Sequence, residues 1–182
     1  MTLPMPSTRL SSAAALCALC LAGPALADDY PARKPGLWEI SIQTDRAGAR
    51  RPMGAVQQCM DAATDKLMRD TGSAPGKRDC SKQDFRHEGG NLVVDSVCRI
   101  DMGTGATTAT THAVISGDFS SAYHMESRST YSPPFMGRAD GAVTMDAKWL
   151  GPCQPGQKPG DMMMPGGMKM NILDALGSAP KK

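Results

Sequence analysis

Cysteine is the residue type in this chain whose number and spacing could support chemistry. Of the six cysteines among 182 residues, four lie beyond residue 27: Cys59, Cys80, Cys98 and Cys153. These four form no CxxC pair, and no histidine lies near them in the sequence to suggest a zinc ligand set. Because an even number of separated cysteines in an exported chain is typical of a disulfide framework, we expect two structural bridges.

Methionine is the second residue type with chemical potential. The chain has 14 methionines, and five of them fall close together near the C-terminus: Met162, Met163, Met164, Met168 and Met170. Thioether sulfur is a soft ligand that suits Cu(I), so a soft-metal site is one hypothesis for this segment. Adaptable apolar contact and reversible oxidation to the sulfoxide are two others.

The histidines give little support for catalysis. His87, His112 and His124 fall on three different predicted strands, and alternation places His124 on the same strand face as Glu126 and Arg128. A pair such as His124 with Glu126 is common on exposed sheet faces. The sequence contains no GxSxG, HExxH or P-loop, and no GxGxxG followed by a helix. We therefore expect no enzymatic activity and no cofactor.

The first 27 residues predict where the chain works. One positive charge, an apolar stretch from Leu10 to Leu21 and the sequence Ala25-Leu26-Ala27 follow the order of a secretory signal peptide. The apolar stretch is too short to span a membrane. Leucine precedes both Cys17 and Cys20, where a lipoprotein signal normally has a small residue. We predict cleavage after Ala27 and a mature periplasmic protein without a transmembrane anchor.

Charge and composition argue against a nucleic-acid partner. The chain carries 20 Lys and Arg residues against 18 Asp and Glu residues, and aromatic residues make up 4% of it. Nucleic-acid binders usually concentrate basic charge in one patch and add aromatic side chains for base stacking. The basic pairs in this sequence are scattered, so we expect no nucleic-acid binding.

Alternation of polar and apolar residues predicts strands throughout the middle of the chain. The predicted strands span residues 37–44, 55–58, 81–88, 91–100, 107–116, 121–131 and 142–150. Gly89-Gly90 predicts a hairpin turn. Residues 61–70 predict a helix, because they are good helix formers with an acidic start. Beyond Pro152 glycine and proline interrupt any period, which favours a flexible tail with a short helical turn at residues 171–176.

These elements predict a mainly β fold of the α+β type. We expect a curved antiparallel sheet or partly open barrel, with one crossover helix, two disulfides and a flexible C-terminal tail. The domain division is a signal peptide at 1–27, a disulfide-stapled β domain at 28–153 and a Met/Gly/Pro-rich tail at 154–182. The concave face is predicted to hold Trp38, Tyr123, Tyr131 and Trp149. It could enclose an apolar ligand or form a packed core.

The four cysteines allow three pairings. Cys80 and Cys98 are nearly symmetric about the predicted hairpin turn, so they fall at the same end of neighbouring strands. A meander of the following strands then puts Cys153 at the opposite end of the sheet from Cys98. These arguments favour Cys80–Cys98 with Cys59–Cys153. The alternative, Cys59–Cys80 with Cys98–Cys153, stays open.

Several of these residues together carry a family resemblance. The sequence Pro35-Gly36-Leu37-Trp38-Glu39, the spacing of Cys59, Cys80 and Cys98, and the closing Gly151-Pro152-Cys153 are similar to the secreted bacterial family called domain of unknown function 3617. The resemblance covers about residues 34–153. It implies a small exported domain, and it implies no activity and no functional residues.

We therefore expect a non-enzymatic binding or envelope-accessory module. Its partner would be an envelope protein or a small apolar ligand. The alternatives are Cu(I) binding through the five methionines of the tail and carriage of a small apolar molecule in the concave face.

Overall fold

The computed structural model describes residues 30–46, 49–71, 77–101 and 105–177. The predicted signal peptide lies outside these residues. The strands are β1 (Gly36–Arg46), β2 (Ala49–Met60), β3 (Lys77–Glu88), β4 (Asn91–Asp101), β5 (Ala106–Asp118), β6 (Ala122–Phe135), β7 (Arg138–Gly151), β8 (Asp161–Met163) and β9 (Lys169–Asn171). The helices are α1 (Ala62–Thr71) and α2 (Ile172–Gly177).

The nine strands form one open antiparallel sheet in the spatial order β3-β4-β5-β6-β7-β1-β2-β8-β9. Strands β3 to β7 are a meander, and β7 then pairs with β1. The chain passes from β2 to the distant edge strand β3 through α1. The predicted mainly β, antiparallel fold with a crossover helix is therefore confirmed.

The observed elements overlap every predicted one, and the largest difference is in β2. This strand begins at Ala49, whereas alternation predicted only residues 55–58. Its first half contains Pro52 and Gly54, which are depleted in strands, so its pattern is weak. The pairing of β1 with β2 also shifts between Ser41 and Gln43, an irregularity that sequence alternation cannot show.

Helix α1 begins at a side-chain cap. The Asp61 carboxylate accepts a hydrogen bond from the Thr64 backbone N–H at 2.7 Å, which satisfies a free donor of the first turn. The side-chain hydrogen bond of Thr64, followed by this backbone bond, stabilises the ionised form and lowers the pKa of Asp61. On the face toward the sheet, Met68 joins the core that Trp38 and Met60 form on one side of the sheet. The helix therefore covers one end of that side.

A buried ion pair ties the segment before β1 to α1. The Arg33 backbone N–H and Nε donate to the two carboxylate oxygens of Asp65 at 3.0 and 2.6 Å. Arg69 also pairs with Asp65, whose side chain is only 1% exposed. The Arg33 guanidinium lies 3.7 Å from the sulfur of Met60 and 3.9 Å from that of Met68. A buried carboxylate needs such partners, because an unpaired charge in the core is strongly destabilising.

The segment predicted as a flexible tail is described as far as residue 177. Residues 154–160 and 164–168 are turns and irregular structure, and the predicted helical turn at 171–176 corresponds to α2. The segment also contributes β8, which pairs with Gln57 and Gln58 of β2, and β9, which pairs with β8. Part of the tail therefore extends the sheet.

Candidate functional site

The residues of the PGLWE sequence meet the end of β7. Trp38 Nε1 donates to the Lys34 carbonyl at 2.8 Å, and Trp149 Nε1 donates to the Pro35 carbonyl at 3.1 Å. Gly36 has φ +138°, and a Cβ there would overlap with the Gly151 carbonyl oxygen and with Trp149 Nε1. Only glycine fits this conformation and this space. These residues therefore join the start of β1 to the end of β7.

The four predicted cysteines all form disulfides. Cys59 bonds Cys153, and Cys80 bonds Cys98. This is the pairing that strand direction favoured. Cys59 and Cys98 are buried, and Cys80 lies directly opposite Cys98 in the β3–β4 register. Their role in this structure is to cross-link strands, and none of the four is a free thiol.

The five methionines of the tail do not share one face. Met162 and Met170 are opposite each other in the β8–β9 register, whereas Met163 is opposite Lys169. Because neighbouring residues of a strand point to opposite faces, Met163 lies on the other side of the sheet from Met162. Met164 and Met168 flank the turn between the strands, and Met168 is 68% exposed.

The four aromatic residues predicted for the concave face have different surroundings. Trp38 and Tyr123 are buried, with ring centroids 5.7 Å apart, and Phe119 stacks on Tyr123 at 4.8 Å. Trp149 packs at the margin of this core, and Tyr131 contacts Phe135 further along β6. The chain's own side chains therefore form a packed core at the α1 end of this face.

The opposite side of the sheet is rich in charged and hydroxyl side chains, and we call it the polar face. It consists of the residues that alternation places away from Trp38 on strands β3 to β7 and on β1. One cross-strand row of this face runs through Asp84, Asp95, His112, Arg128 and Ala142. A neighbouring row runs through Lys82, Val97, Thr110, Thr130 and Asp140.

Two histidines of the polar face pair with aspartates on neighbouring strands. His112 Nδ1 is 2.8 Å from Asp95 Oδ1, and Arg86 binds the other oxygen of Asp95 at 2.8 Å. The hydrogen bond to His112, followed by that to Arg86, lowers the pKa of Asp95. Asp95 thus joins His112 and Arg86 in one hydrogen-bonded network.

The second histidine has two carboxylate partners. His124 Nδ1 is 2.7 Å from Asp146, and Nε2 is 3.6 Å from Glu126. The predicted pair with Glu126 is therefore present, but Asp146 is the closer partner. The hydrogen bond to Asp146 raises the pKa of His124 because it stabilises the protonated ring. Asp146 and Asp95 were not predicted, because only the strand register brings them beside a histidine.

A groove of about 930 Å³ crosses the polar face, and we call it the polar groove. Small residues of β7, including Gly141 and Ala142, form part of its lining. Its charged side chains are those of Asp45, Lys82, Asp95, Arg128, Arg138 and Asp140, and it also contains His112. A smaller hollow of about 440 Å³ lies around His124 and Asp146 on the same face.

Some charged side chains of the polar groove have partners within the protein, and others have none among the described residues. Asp95 is committed to Arg86 and His112, and Arg138 donates to the Asp45 carbonyl at 2.6 Å. The side chains of Lys82, Arg128 and Asp140 form no ion pair or hydrogen bond with other residues that the structure describes. These three charges are available to a ligand.

Two further features are absent from the described residues. Within residues 30–46, 49–71, 77–101 and 105–177, no group of three or more His, Cys, Asp or Glu side chains is arranged to hold a metal ion. No helix in the same part of the chain is long and apolar enough to cross a membrane.

Comparison with known proteins gives one match. The family model described as "Protein of unknown function (DUF3617)" matches residues 33–153. No curated protein and no solved structure matches the chain. The matched residues begin before β1 and end at Cys153, so they include the Gly36–Trp149 contact, both disulfides and the polar groove. Because the match covers about two thirds of its length, the chain belongs to the DUF3617 family of proteins of unknown function.

Proposed function

We propose that this protein is an exported, non-enzymatic binding module whose ligand occupies the polar groove. The observation that carries this proposal is that Lys82, Arg128 and Asp140 line one groove without partners among the described residues. The volume of the groove, about 930 Å³, falls at the upper end of the range typical of small-molecule sites, roughly 300–1,000 Å³.

The arrangement of the histidines supports a non-enzymatic role. A general base must have a ring nitrogen free to receive a proton from the reacting group. Both ring nitrogens of His124 face carboxylates, and Ser116, its register partner on β5, makes no hydrogen bond to it among the described contacts. Only Nδ1 of His112 is bound, to Asp95, and the register partner of His112 on β6 is Arg128. Neither histidine forms a hydrogen bond with a hydroxyl or thiol group among the described contacts, so no activated nucleophile accompanies them.

The sequence and the cysteines support export. The first 27 residues have the order of a signal peptide. Disulfides persist mainly in oxidising compartments, and this structure has two. A periplasmic location agrees with both observations. It would place the polar groove among the soluble components of the cell envelope.

The test combines recovery from the periplasm with solution binding. We expect mature protein that begins at Asp28 and carries a polar small molecule, identified by mass spectrometry of the native complex. A matched pair of variants locates the site: Arg128→Ala should lose the molecule, and Arg51→Ala, an exposed arginine of β2 outside the groove, should retain it. A bound molecule retained equally by both variants would contradict the proposal.

A further inference from the structure

We propose that the ligand of the polar groove is a short zwitterionic peptide, whose carboxylate binds Arg128 and whose ammonium group binds Asp140. This inference rests on the proposed function, because it names the ligand class of the same groove. It follows from the positions of the unpaired charges, from the hydroxyl groups between them and from the size of the groove.

Arg128 and Asp140 are diagonal neighbours on adjacent strands. Arg128 is opposite Ala142 in the β6–β7 register, and Thr130 is opposite Asp140. Diagonal residues on one face of an antiparallel pair lie about 7–8 Å apart, within reach of a long side chain. The two charges nevertheless form no ion pair in this structure. A ligand that carries a carboxylate at one end and an ammonium group at the other can therefore bind both of them.

The surrounding charges favour a zwitterion over a simple anion. On the β3 side, Lys82 adds a second unpaired cation, and the charge of Asp95 is balanced there by Arg86, whereas Asp45 and Asp140 lie on the β1–β7 side. Strands are about 4.8 Å apart, so positive and negative charges are separated across the width of the sheet. Arg138 adds one cation near Asp45, which leaves this side negative overall. An anion alone would satisfy only one half of the groove.

The hydroxyl groups of the polar groove suit a peptide backbone. Thr110 and Thr130 are opposite each other in the β5–β6 register, and both are exposed on the polar face. A hydroxyl both donates and accepts a hydrogen bond, so these residues can bind the N–H and C=O groups of an amide. The groove extends from Lys82 to Asp140, which is longer than a single amino acid requires.

The experiment is a titration of the mature, disulfide-bonded protein followed by amide chemical shifts. The probes are trialanine with free ends, trialanine with both ends blocked, and the neutral disaccharide maltose. We expect free-ended trialanine to shift the amides of Thr110, Thr130 and Ala142, and the blocked peptide to leave them unchanged. Arg128→Gln and Asp140→Asn should each weaken binding roughly tenfold, since each removes one charged hydrogen-bond partner. Arg51→Gln is the matched control.

The outcomes separate this inference from the proposed function. Binding of only blocked trialanine or maltose in the groove would overturn the zwitterionic ligand while supporting a binding module. Equal affinity of the wild type and both groove variants for free-ended trialanine would also overturn it. The absence of shifts in the groove with all three probes would count against the inference, and an empty groove in protein recovered from the periplasm would then contradict the proposed function as well.

Discussion

Trp149 occupies the space that a Cβ on Gly36 would need, and the Gly151 carbonyl oxygen would lie equally close to that Cβ. The first residue of β1 is therefore fitted directly against the end of β7. Packing at this contact accounts for the glycine of the PGLWE sequence, so the glycine needs no chemical role.

We expect Gly36→Ala to lower the free energy of unfolding by more than the cost of a positive φ alone, because the added Cβ also overlaps with neighbouring atoms. Gly151 provides the matched control, because its φ is nearly the same, +136°, but nothing lies within 4 Å of its added Cβ. Strained backbone conformations of this kind cost a non-glycine residue about 1–3 kcal/mol. Urea unfolding should show a loss of this size for Gly151→Ala and a larger loss for Gly36→Ala. Equal losses would show that the overlap with Trp149 and Gly151 is relieved at no cost.

The two disulfides should contribute unequally to stability. Their cysteines are 94 and 18 residues apart, for Cys59–Cys153 and Cys80–Cys98 respectively. On the chain-entropy account the longer loop contributes about 1.5 kcal/mol more. Replacing each pair with alanines should therefore lower the free energy of unfolding by about 2–5 kcal/mol, with the larger loss for Cys59 and Cys153. A larger loss for Cys80 and Cys98 would contradict this order.

The pairing of His124 with Asp146 should be visible in its titration. Because the folded-state pKa is raised above 6.5, the pair stabilises the fold fully below pH 6.5, and this contribution is lost as the pH rises through the raised pKa. We expect Asp146→Asn to lower the pKa of His124. The measurement is an NMR titration of the ring protons of His124. Asp79→Asn, an exposed aspartate on β3, is the control. An unchanged pKa in Asp146→Asn would assign the shift to Glu126 instead.

Asp161 should hold the β8–β9 hairpin in place. Its carboxylate accepts hydrogen bonds from the Lys158 backbone N–H and from Lys169 Nζ, both at 2.8 Å, and from Asn171 Nδ2 at 2.9 Å. These bonds, that of Lys158 first, hold the pKa of Asp161 well below its usual range. The stabilisation is therefore present above about pH 4 and is lost as the pH falls through the lowered pKa.

For Asp161→Asn we expect faster amide hydrogen exchange in β8 and β9, with exchange in β4 to β6 unchanged. Asp174→Asn, an exposed aspartate in α2, provides the comparison. Exchange that accelerates equally throughout the sheet would show that Asp161 stabilises the whole fold rather than the hairpin.

The sequence predicted the elements better than the contacts between them. Alternation located the strands, and the Gly89-Gly90 turn with strand direction favoured the observed cysteine pairs. The first half of β2 and the strands β8 and β9 were not predicted, because proline, glycine and short length remove any period from them.

The polar groove could not be predicted from the sequence, for a different reason. Its members come from β1 and from β3 to β7, and they meet only through the register of several strand pairs. Arg128 and Asp140 are each unremarkable in their own strands. Their diagonal relationship depends on the β6–β7 pairing, which no local pattern encodes.

The bond between Cys59 and Cys153 makes a covalent ring of half the chain. A protease that cuts once inside this ring cannot release a fragment, because both new ends remain attached through the sulfur atoms. A cut in the turn between β3 and β4 also falls inside a second, smaller ring, which the bond between Cys80 and Cys98 closes. Most of the matched family region can therefore be nicked once and still remain one molecule, which would suit a protein exposed to proteolysis.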